Sequence, residues 1–393
     1  MALPKEDLLS GEKSKLKSKD KARPLEQEDF YHGLVPREDI RKMLHNNGDF
    51  LVRYTEVNQV KSYVISLVVE GIPKHFVITQ NRENGKYYVL ETHQFDSITQ
   101  LVRTHWQKAI PLSNDKRALL RKAVPREQWE LRHSQVNTLE KMGEGAFGEV
   151  FRGTLRQGEN VIQVAVKKGR AQGLSKQQLR EMMQESRLMR QYDHPNVVKL
   201  YGVAAEQEPV LFVMELITGG SLDKYVAKHS NLSDATLLGF CVDAAKGLDY
   251  LHSRNCIHRD VAARNCLINQ HNLVKISDFG LSQEGENLNL NVNTNQKLPI
   301  KWLAVETLEK GTYTAKSDIW AYGVLVWEVF SAGATPYPGL SAMQVAQKVK
   351  TGFRMAAPLR MPELLCLVMY NCWETVPVHR CGFDRIVKFL SDN

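Results

Sequence analysis

The chain has 393 residues, of which 43% are hydrophobic and 24% are charged, a composition that excludes a disordered or fibrous protein. Its length favours two or three domains. The formal net charge of +8 is moderate and much of it lies in a basic stretch over residues 115–126, so a phosphate-bearing partner is expected and no nucleic-acid partner is required.

The first part of the chain divides into an arm, a small domain and a linker. Residues 1–28 alternate lysine with acidic and small residues and lack aromatic side chains, which predicts a disordered arm. Residues 29–112 predict a small α+β domain, because two helical stretches enclose several strand-like runs. The basic segment 113–136 is interpreted as the linker. The predicted helices are 37–46 and 97–107, and the predicted strands are 49–54, 62–69, 74–79 and 86–90.

The remainder, residues 137–393, changes character along its length. Residues 139–217 are rich in strand-like runs and contain one helix, whose start is marked by Ser175 with Gln178 three residues later, the spacing of a capping box. Residues 218–393 are largely helical. We therefore expect a bilobal α+β fold, with a β-rich small lobe followed by an α-helical large lobe and a ligand in the cleft between them.

A glycine-rich loop lies near the start of the small lobe. Residues 143–150 have the spacing G-x-G-x-x-G-x-V, and glycines there let backbone amides approach a phosphate closely. Alone the pattern is weak, because a dinucleotide-binding turn and a plain hairpin share it. A dinucleotide-binding turn opens a helix, whereas this loop continues into a second strand at 161–167, so that alternative is disfavoured.

A lysine and a glutamate in the same lobe form a second candidate feature. Lys167 ends a V-A-V-K run in the second strand, and in isolation a solvated strand tip explains it equally well. In the helix that follows, Glu185 lies on one stripe with Met182 and Met189, and a carboxylate among apolar side chains is costly without a cation. We therefore expect Lys167 to pair with Glu185.

The large lobe contains two short motifs in a fixed order. An H-R-D tripeptide ends at Asp260, Asn265 follows five residues later, and a D-F-G tripeptide begins at Asp278. Each tripeptide occurs by chance, but the ordered set with the glycine loop and the lysine resembles the signature of protein kinases over roughly residues 137–393. The resemblance implies transfer of the ATP γ-phosphate through positioning and charge neutralisation rather than covalent catalysis.

The kinase resemblance implies a role for each matching residue. Asp260 would orient the acceptor hydroxyl and take its proton, while Lys167, oriented by Glu185, would hold the α- and β-phosphates. The catalytic set is Asp260, Arg264, Lys167 and Glu185, and the Mg²⁺ ligands are Asn265 and Asp278. The residues expected at ATP are Met142, Gly143, Glu144, Gly145, Ala146, Phe147, Gly148, Val150, Ala165, Lys167, Met214, Glu215 and Leu216, where Met214 is the gatekeeper and the next two residues supply hinge backbone.

Two features of the same resemblance indicate tyrosine as the acceptor. An A-A-R run ends at Arg264, where serine/threonine kinases place a lysine two residues after the aspartate, and a P-I-K-W run ends at Trp302. By the same resemblance His258 is structural and Asp318 braces the catalytic loop. Serine/threonine specificity is therefore disfavoured.

The N-terminal domain resembles a Src-homology-2 (SH2) domain. The runs F-Y-H-G at 30–33, F-L-V-R at 50–53 and K-H-F at 74–76 match that family in order and spacing. An arginine that ends a buried apolar strand is unusual unless it meets an anion, and Arg53 can grip a phosphate through two parallel charge-assisted hydrogen bonds. The resemblance implies phosphotyrosine-containing partner proteins and a phosphotyrosine site formed by Arg37, Arg53, Thr55 and His75.

The order of the two domains, with A-V-P-R-E-Q-W at 123–129 between them, resembles the Fes/Fer family of non-receptor tyrosine kinases. In that family a membrane-binding F-BAR region precedes the SH2 domain, and residues 1–28 cannot hold one, so a short SH2–kinase is expected. The resemblance also suggests that the SH2 domain docks near the Glu185 helix and supports the active state.

The sequence departs from the family pattern in the activation segment. No tyrosine lies between Asp278 and Glu306, so tyrosine autophosphorylation in this loop cannot be the switch. The family's A-P-E motif has lost its proline here, although Glu306 remains and is expected to pair with Arg380. The alternation of asparagine with apolar residues over 287–295 has a strand-like period. The favoured interpretation is a polar mobile loop, with an ordered strand as the alternative. A separate hypothesis is that a neutral, partly apolar loop could settle without a phosphate.

Two functions of different classes fit these observations. The first is an active non-receptor tyrosine kinase, targeted or activated through phosphotyrosine binding, and the second is a phosphotyrosine-binding scaffold whose kinase fold is silent. The presence of the full catalytic set favours the first. Six cysteines without a C-x-x-C pair indicate reduced thiols, so we expect a cytoplasmic protein with at most weak peripheral recruitment to the inner face of the plasma membrane.

Overall fold

The computed structural model describes residues 23–57, 60–145, 148–169, 174–289 and 298–392. The chain divides into two compact units. Unit 1 extends to Glu130 and includes Ala205–Glu208, and unit 2 comprises Leu131–Ala204 and the chain from Pro209 onward. Across the described ranges, no helix combines the length and apolar character needed to cross a membrane.

Unit 1 is built on a six-stranded sheet with two helices. The strand order is β1-β2-β3-β4-β5, and β6 pairs with β2. The strands are β1 (Tyr31–Gly33), β2 (Asp49–Val57), β3 (Val60–Val69), β4 (Ile72–Gln80), β5 (Tyr87–Tyr88) and β6 (Lys122–Ala123), and the helices are α1 (Arg37–Met43) and α2 (Ile98–Gln107).

The two faces of the unit 1 sheet are both covered, which explains why residues 50–52 of β2 are all apolar. Phe50 and Val52 pack in one core cluster with residues of α2, such as Leu101. Leu51 lies in a second cluster with Ile40 of α1. Because successive side chains of a strand point to opposite faces, each helix occupies its own face of the sheet.

Three expectations for the N-terminal region need correction. Leu25–Gln27 forms a short 3₁₀ helix and Leu25 is buried, so this end of the predicted disordered arm is ordered, while residues 1–22 lie outside the described residues. The strand predicted at 86–90 is reduced to β5. The segment interpreted as a linker contributes β6 and the buried Leu120 to unit 1, because apolar positions in a basic stretch still bury their surface.

The small lobe of unit 2 is a six-stranded sheet with one helix. The strand order is β7-β11-β12-β10-β9-β8. Helix α3 begins after Ser175, whose hydroxyl accepts from the backbone of Gln178 while the Gln178 side chain accepts from the backbone of Ser175, as the capping box predicts. The elements are β7 (Glu130–Leu131), β8 (Val136–Gly145), β9 (Gly148–Gln157), β10 (Asn160–Gly169), α3 (Lys176–Met189), β11 (Leu200–Ala204) and β12 (Leu211–Glu215).

The large lobe surrounds one buried helix. Every residue of α7 from Ser317 to Phe330 is buried, so this helix is the rigid axis of the lobe. The helices are α4 (Leu222–Lys228), α5 (Asp234–Ser253), α6 (Val305–Lys310), α7 (Ala315–Phe330), α8 (Ala342–Lys350), α9 (Glu363–Cys372) and α10 (Phe383–Ser391). The strand pairs are β13 (Cys256–Ile257) with β16 (Gln283–Glu284), β14 (Cys266–Ile268) with β15 (Val274–Ile276), and β17 (Asn287–Asn289) with β18 (Thr312–Thr314).

The start of the asparagine-rich segment is a strand. Residues 287–289 form β17, where Leu288 lies opposite Tyr313 of β18. The favoured interpretation of a mobile loop is therefore wrong for these three residues, because the neighbouring strand satisfies their backbone hydrogen bonds. The rest of the segment, 290–295, lies outside the described residues.

The expected pair of Glu306 and Arg380 is present and is buried. Arg380 Nη1 and Nη2 donate to the two carboxylate oxygens of Glu306, each over 2.8 Å. Arg380 Nη1 also donates to Lys316 O and its Nε to Glu374 O, and the residue is only 1% exposed. The ion pair that joins α6 to the C-terminal part of the lobe is therefore kept, although the proline of the A-P-E motif has been lost.

Replacement of Arg380 should strongly destabilise unit 2. Arg380→Ala leaves the Glu306 carboxylate without its cation, which costs about 3–5 kcal/mol, and calorimetry should show the unit 2 transition lowered by roughly 6–15 °C. The matched control is Arg360→Ala, whose exposed pair with Asp234 is worth at most about 1 kcal/mol. Equal melting temperatures for the two variants would contradict the assignment.

Candidate functional site

The glycine-rich loop is the turn of the β8–β9 hairpin. Gly143 lies opposite Val150 and Gly145 opposite Gly148, whose φ of +154° lies in the region that favours glycine. A Cβ placed on Gly143 would meet nothing within 4 Å, so protein packing does not demand a glycine there and the open space suits a ligand. Ala146 and Phe147 of the predicted set lie outside the described residues.

The rim of this hairpin is tied by one lysine. Lys141 Nζ donates to Glu144 over 2.7 Å and to Glu149 over 2.6 Å. Met142 of the predicted ATP set is 48% exposed beside them. Glu144 of the same set thus has its carboxylate in an exposed ion pair.

The predicted pair of Lys167 and Glu185 is present. Lys167 Nζ donates to Glu185 Oε1 over 3.2 Å and to Oε2 over 3.1 Å, joining β10 to α3. Glu185 is 3% exposed, and burial raises the pKa of its carboxyl while Lys167 opposes that rise. Asp278 adds to the rise, so the aspartate of the D-F-G motif lies within electrostatic reach of the pair.

The predicted adenine-contacting residues lie at the end of the small-lobe sheet. Ala165 of β10 is opposite Met214 of β12 in the strand register. The Glu215 amide donates to Lys199 O over 2.9 Å, so hinge contacts from Glu215 would use its carbonyl oxygen. Its carboxylate forms a 2.9 Å pair with the buried Lys275 of β15, which holds the chain in place where it enters Leu216.

The carboxylate of Asp260 is held on both of its oxygens. Asn265 Nδ2 donates to Asp260 Oδ2 over 2.7 Å, and Arg264 Nη2 donates to Asp260 Oδ1. The Arg264 guanidinium lies over the ring of Trp302, 4.4 Å from its centroid. The predicted catalytic residues Asp260 and Arg264 and the predicted Mg²⁺ ligand Asn265 are thus in direct contact, and Trp302 connects them to the segment after the activation loop.

The backbone of the catalytic loop is fixed by Asp318 of α7. Asp318 Oδ2 accepts from His258 N over 2.7 Å and Asp318 Oδ1 from Arg259 N over 2.9 Å, as the bracing role requires. The His258 ring packs edge-on against Phe279 with centroids 5.2 Å apart, and its Nε2 pairs with Ser277 O. His258 is fully buried, which agrees with a structural role rather than a base.

Asn265 and Asp278 are joined through the backbone that precedes the D-F-G motif. Ser277 N and Ser277 Oγ both donate to Asn265 O over 2.9 Å. Because Asn265 uses Nδ2 toward Asp260, its amide oxygen is left as an acceptor. Among the described residues no cluster of three His, Cys, Asp or Glu side chains suits a metal, so a cation here would depend on these two oxygen donors and on substrate phosphates, which is how Mg²⁺ usually binds.

The arginine of the H-R-D motif has partners other than a phosphate. Arg259 Nη1 donates to Leu281 O over 3.3 Å, and its guanidinium lies 5.6 Å from the ring centroid of Tyr313. Burial lowers the pKa of Arg259, with Tyr313 and Asp318 opposing that shift. The ring and the carbonyl thus contact part of the guanidinium that the family usually pairs with phosphotyrosine, and its buried Nε has no hydrogen-bond partner among the described residues.

In unit 1 the predicted phosphotyrosine residues surround a buried arginine. Arg53 of β2 is 5% exposed and donates from Nε to Ser66 Oγ over 3.2 Å. Ser66 in turn pairs with His75 Nδ1 over 3.0 Å. Burial, with the nearby Arg37 adding, lowers the pKa of Arg53 to about 10. Thr55 is half-buried two residues along the same face of β2.

Two residues of this pocket escaped the sequence prediction. Ser66 orients both Arg53 and His75 from the neighbouring strand β3, a contact that no local spacing reveals. Arg41, one helical turn after Arg37, contributes to the positive field, because burial together with Arg53, Arg37 and Arg41 lowers the pKa of His75 to about 4. The i, i+4 spacing of the two arginines on α1 could have indicated the second one.

Comparisons with known proteins match the two domains that carry these sites. Residues 136–390 match the family model "Protein tyrosine and serine/threonine kinase", and residues 30–105 match the SH2 domain model. Tyrosine-protein kinase Fer of Homo sapiens is 38% identical over 371 residues, covering 94% of this chain and 44% of Fer. Fer-related kinase 1 of Caenorhabditis elegans is 41% identical over 369 residues, covering 93% of each chain.

A third relative extends the pattern. The transforming protein Fps of Avian sarcoma virus (strain PRCII), a tyrosine-protein kinase, is 39% identical and covers 94% of this chain and 68% of its own length. The chain thus spans about half the length of Fer and nearly all of Fer-related kinase 1.

The fold and the two sites define an SH2 domain followed by a protein kinase domain. The chain belongs to the tyrosine-protein kinases of the Fer/Fps family.

Arg53 offers a direct test of the unit 1 pocket. Arg53→Leu should abolish binding of a phosphotyrosine peptide, because the guanidinium is the buried group able to form two parallel bonds with a phosphate. Since its charge is buried at a cost, the variant should melt no lower than the parent. Fluorescence anisotropy with a labelled phosphopeptide measures the binding.

The matched control for that test is Arg103→Leu, which removes an arginine of α2 that is paired with Glu28. It should bind the phosphopeptide with unchanged affinity. Phosphopeptide binding by Arg53→Leu equal to that of the parent would refute the pocket.

Proposed function

We propose that this chain is a non-receptor protein tyrosine kinase that transfers the γ-phosphate of ATP to tyrosine hydroxyls and is targeted or activated through its SH2 domain. The observation that carries the proposal is the arrangement around Asp260, whose carboxylate is fixed by Asn265 and Arg264. The Lys167–Glu185 pair is formed as well, and Asp278 lies within its electrostatic reach. No observation favours the silent scaffold over this reading.

The nucleotide side of the reaction rests on charge. Lys167, held by Glu185, would present its ammonium to the α- and β-phosphates, and the backbone of the β8–β9 hairpin would lie over those phosphates. The amides of a glycine-rich turn can approach an anion closely. Ala165, Met214 and the Glu215–Leu216 backbone supply the adenine contacts.

Mg²⁺ is the cation proposed for the site. The Asn265 amide oxygen and the Asp278 carboxylate are hard ligands of the kind Mg²⁺ uses together with phosphates. The ion would neutralise charge on the transferred group. Asp278 keeps its orientation through a left-handed backbone, φ +61°, and a bond from Gly280 N to its Oδ1 over 3.3 Å.

The acceptor side rests on Asp260 and its neighbours. Its carboxylate would orient a tyrosine hydroxyl and accept the proton as the phosphate is transferred. The Arg264 guanidinium, stacked on Trp302, forms a flat surface beside that carboxylate. A bulky phenol would be seated against this surface, which supports tyrosine over serine or threonine.

The proposed partners are phosphotyrosine-containing proteins, bound through Arg53 and its neighbours, and tyrosine-bearing protein substrates. We place the protein in the cytoplasm, with at most weak peripheral association with the inner face of the plasma membrane. All six cysteines are unpaired, a pattern that suits a reducing compartment.

A transfer assay tests the proposed activity. Purified protein incubated with ATP, Mg²⁺ and a tyrosine-containing copolymer should label it, and a serine/threonine copolymer should stay unlabelled. Asp260→Asn should lower kcat by about 10²-fold or more, because the acceptor loses its proton-accepting partner. The affinity for ATP should stay unchanged.

The control for this assay is Asp234→Asn, an exposed aspartate at the start of α5, which should keep the parent kcat. Labelling of aliphatic hydroxyls only, or no labelling by a parent protein that melts cooperatively, would reject the proposal.

Activity should also persist after removal of tyrosine phosphate. No tyrosine lies between Asp278 and Glu306, and Arg259 is held by the Leu281 carbonyl and the Tyr313 ring. Treatment with a tyrosine phosphatase should therefore leave peptide phosphorylation within about twofold of its starting rate, since no loop phosphotyrosine is available to pair with Arg259. A drop of tenfold would show that phosphotyrosine elsewhere controls the kinase domain.

A further inference from the structure

Glu328 is a buried carboxylate near the end of α7 that sequence reasoning did not single out. It is 4% exposed. Its Oε2 atom accepts two hydrogen bonds of 3.0 Å, one from Ala263 N and one from Trp302 Nε1. The two donors belong to segments far apart in sequence, so one oxygen atom joins them.

Both segments act at the acceptor side of the proposed reaction. Ala263 starts the 3₁₀ helix Ala263–Asn265 that carries Arg264, and Trp302 ends the 3₁₀ helix Ile300–Trp302. Arg264 stacks on Trp302 and binds Asp260, so the contacts form a closed ring from Asp260 through Arg264 and Trp302 to Glu328 and back through Ala263. Helix α7 is buried from Ser317 to Phe330, which makes Glu328 the fixed point of that ring.

We propose that Glu328 is a positioning residue for tyrosine phosphorylation: by holding the catalytic loop and the Trp302 segment on one oxygen atom, it sets the distance between Asp260 and the surface that seats the acceptor phenol. This inference rests on the proposed kinase activity and goes beyond it, because Glu328 touches neither nucleotide nor acceptor. Loss of the carboxylate should weaken use of the peptide substrate and leave use of ATP unaffected.

The ionisation of Glu328 provides a signature that a packing role alone would not produce. Burial raises the pKa of its carboxyl to about 7, with the Ala263 and Trp302 bonds and Arg264 opposing the rise and Asp223 of α4 adding to it. The Cys266 thiol of β14 also senses its charge. When ionised, Glu328 accepts two charge-assisted bonds, which are stronger than neutral ones. The acceptor platform should therefore tighten as pH rises through about 7.

Steady-state kinetics over pH 5.5–8.5 test the proposal with three variants of the full chain. Glu328→Ala should raise the KM for a tyrosine peptide, and lower kcat/KM for that peptide, by about tenfold or more, with the KM for ATP unchanged. Glu328→Gln should lie between Glu328→Ala and the parent at pH 8, close to the parent at pH 6, because its amide oxygen can accept both bonds but carries no charge. Trp302→Phe keeps a ring under Arg264 and removes one donor, so its peptide KM should lie between the parent and Glu328→Ala.

The pH profile separates positioning from packing. In the parent, kcat/KM for the peptide should fall several-fold as pH drops from 8 to 6, and this limb should be absent from Glu328→Gln, which cannot ionise. A peptide KM unchanged in Glu328→Ala, or a parent-like pH limb in Glu328→Gln, would overturn the inference.

A melting experiment gives a readout that does not depend on turnover. The folded pKa of Glu328 lies above its unfolded value, so the carboxyl contributes full stability below about pH 4.5 and loses it as pH rises through about 7. The difference in melting temperature, Glu328→Gln minus parent, should therefore increase as pH rises from 5 to 8. A parent without kinase activity would reject the proposed function, whereas a flat difference in melting temperature would reject the burial and ionisation of Glu328 itself.

Discussion

The catalytic loop keeps its shape because a buried helix carries a carboxylate toward each of its ends. Asp318 accepts from the amides of His258 and Arg259, and Glu328 accepts from the amide of Ala263. Arg259 has φ +69°, a left-handed conformation that costs free energy in a non-glycine residue and persists only where its surroundings hold it. An irregular buried loop must satisfy its amides, and α7 provides those acceptors from a segment that is itself fixed by packing.

Ion pairs fix residues of the small lobe and of the hinge. The Lys167–Glu185 pair joins a strand and a helix of the small lobe, and Asp278 lies within its electrostatic reach. The hinge is fastened by a second ion pair, which joins Glu215 to the buried Lys275. Both contacts are ion pairs, which are sensitive to the loss of either partner, so the geometry at the nucleotide depends on a few side chains rather than on a broad apolar surface.

Much of the fold followed from periodicity, and much of the site from ordered motifs. The capping box at Ser175 and the apolar stripe that contains Glu185 could be predicted from the sequence, because helical spacing is local. The roles of Glu328 and Ser66 could not be predicted from the sequence. Each residue contacts another element, and the residues around it in the sequence show no periodic pattern of polar side chains. Two-residue strands such as β6 carry no measurable periodicity, which is why the segment interpreted as a linker became part of a sheet.

The buried Arg53 has a consequence for how unit 1 responds to its ligand. Its guanidinium is kept from water, and its proton is held less tightly than that of an exposed arginine. A phosphate that pairs with the guanidinium offsets the free-energy cost of burying it. A ligand that binds only the folded form shifts the unfolding equilibrium by mass action. The apparent stability of unit 1 should thus rise with the concentration of a phosphate-bearing ligand that binds its folded form.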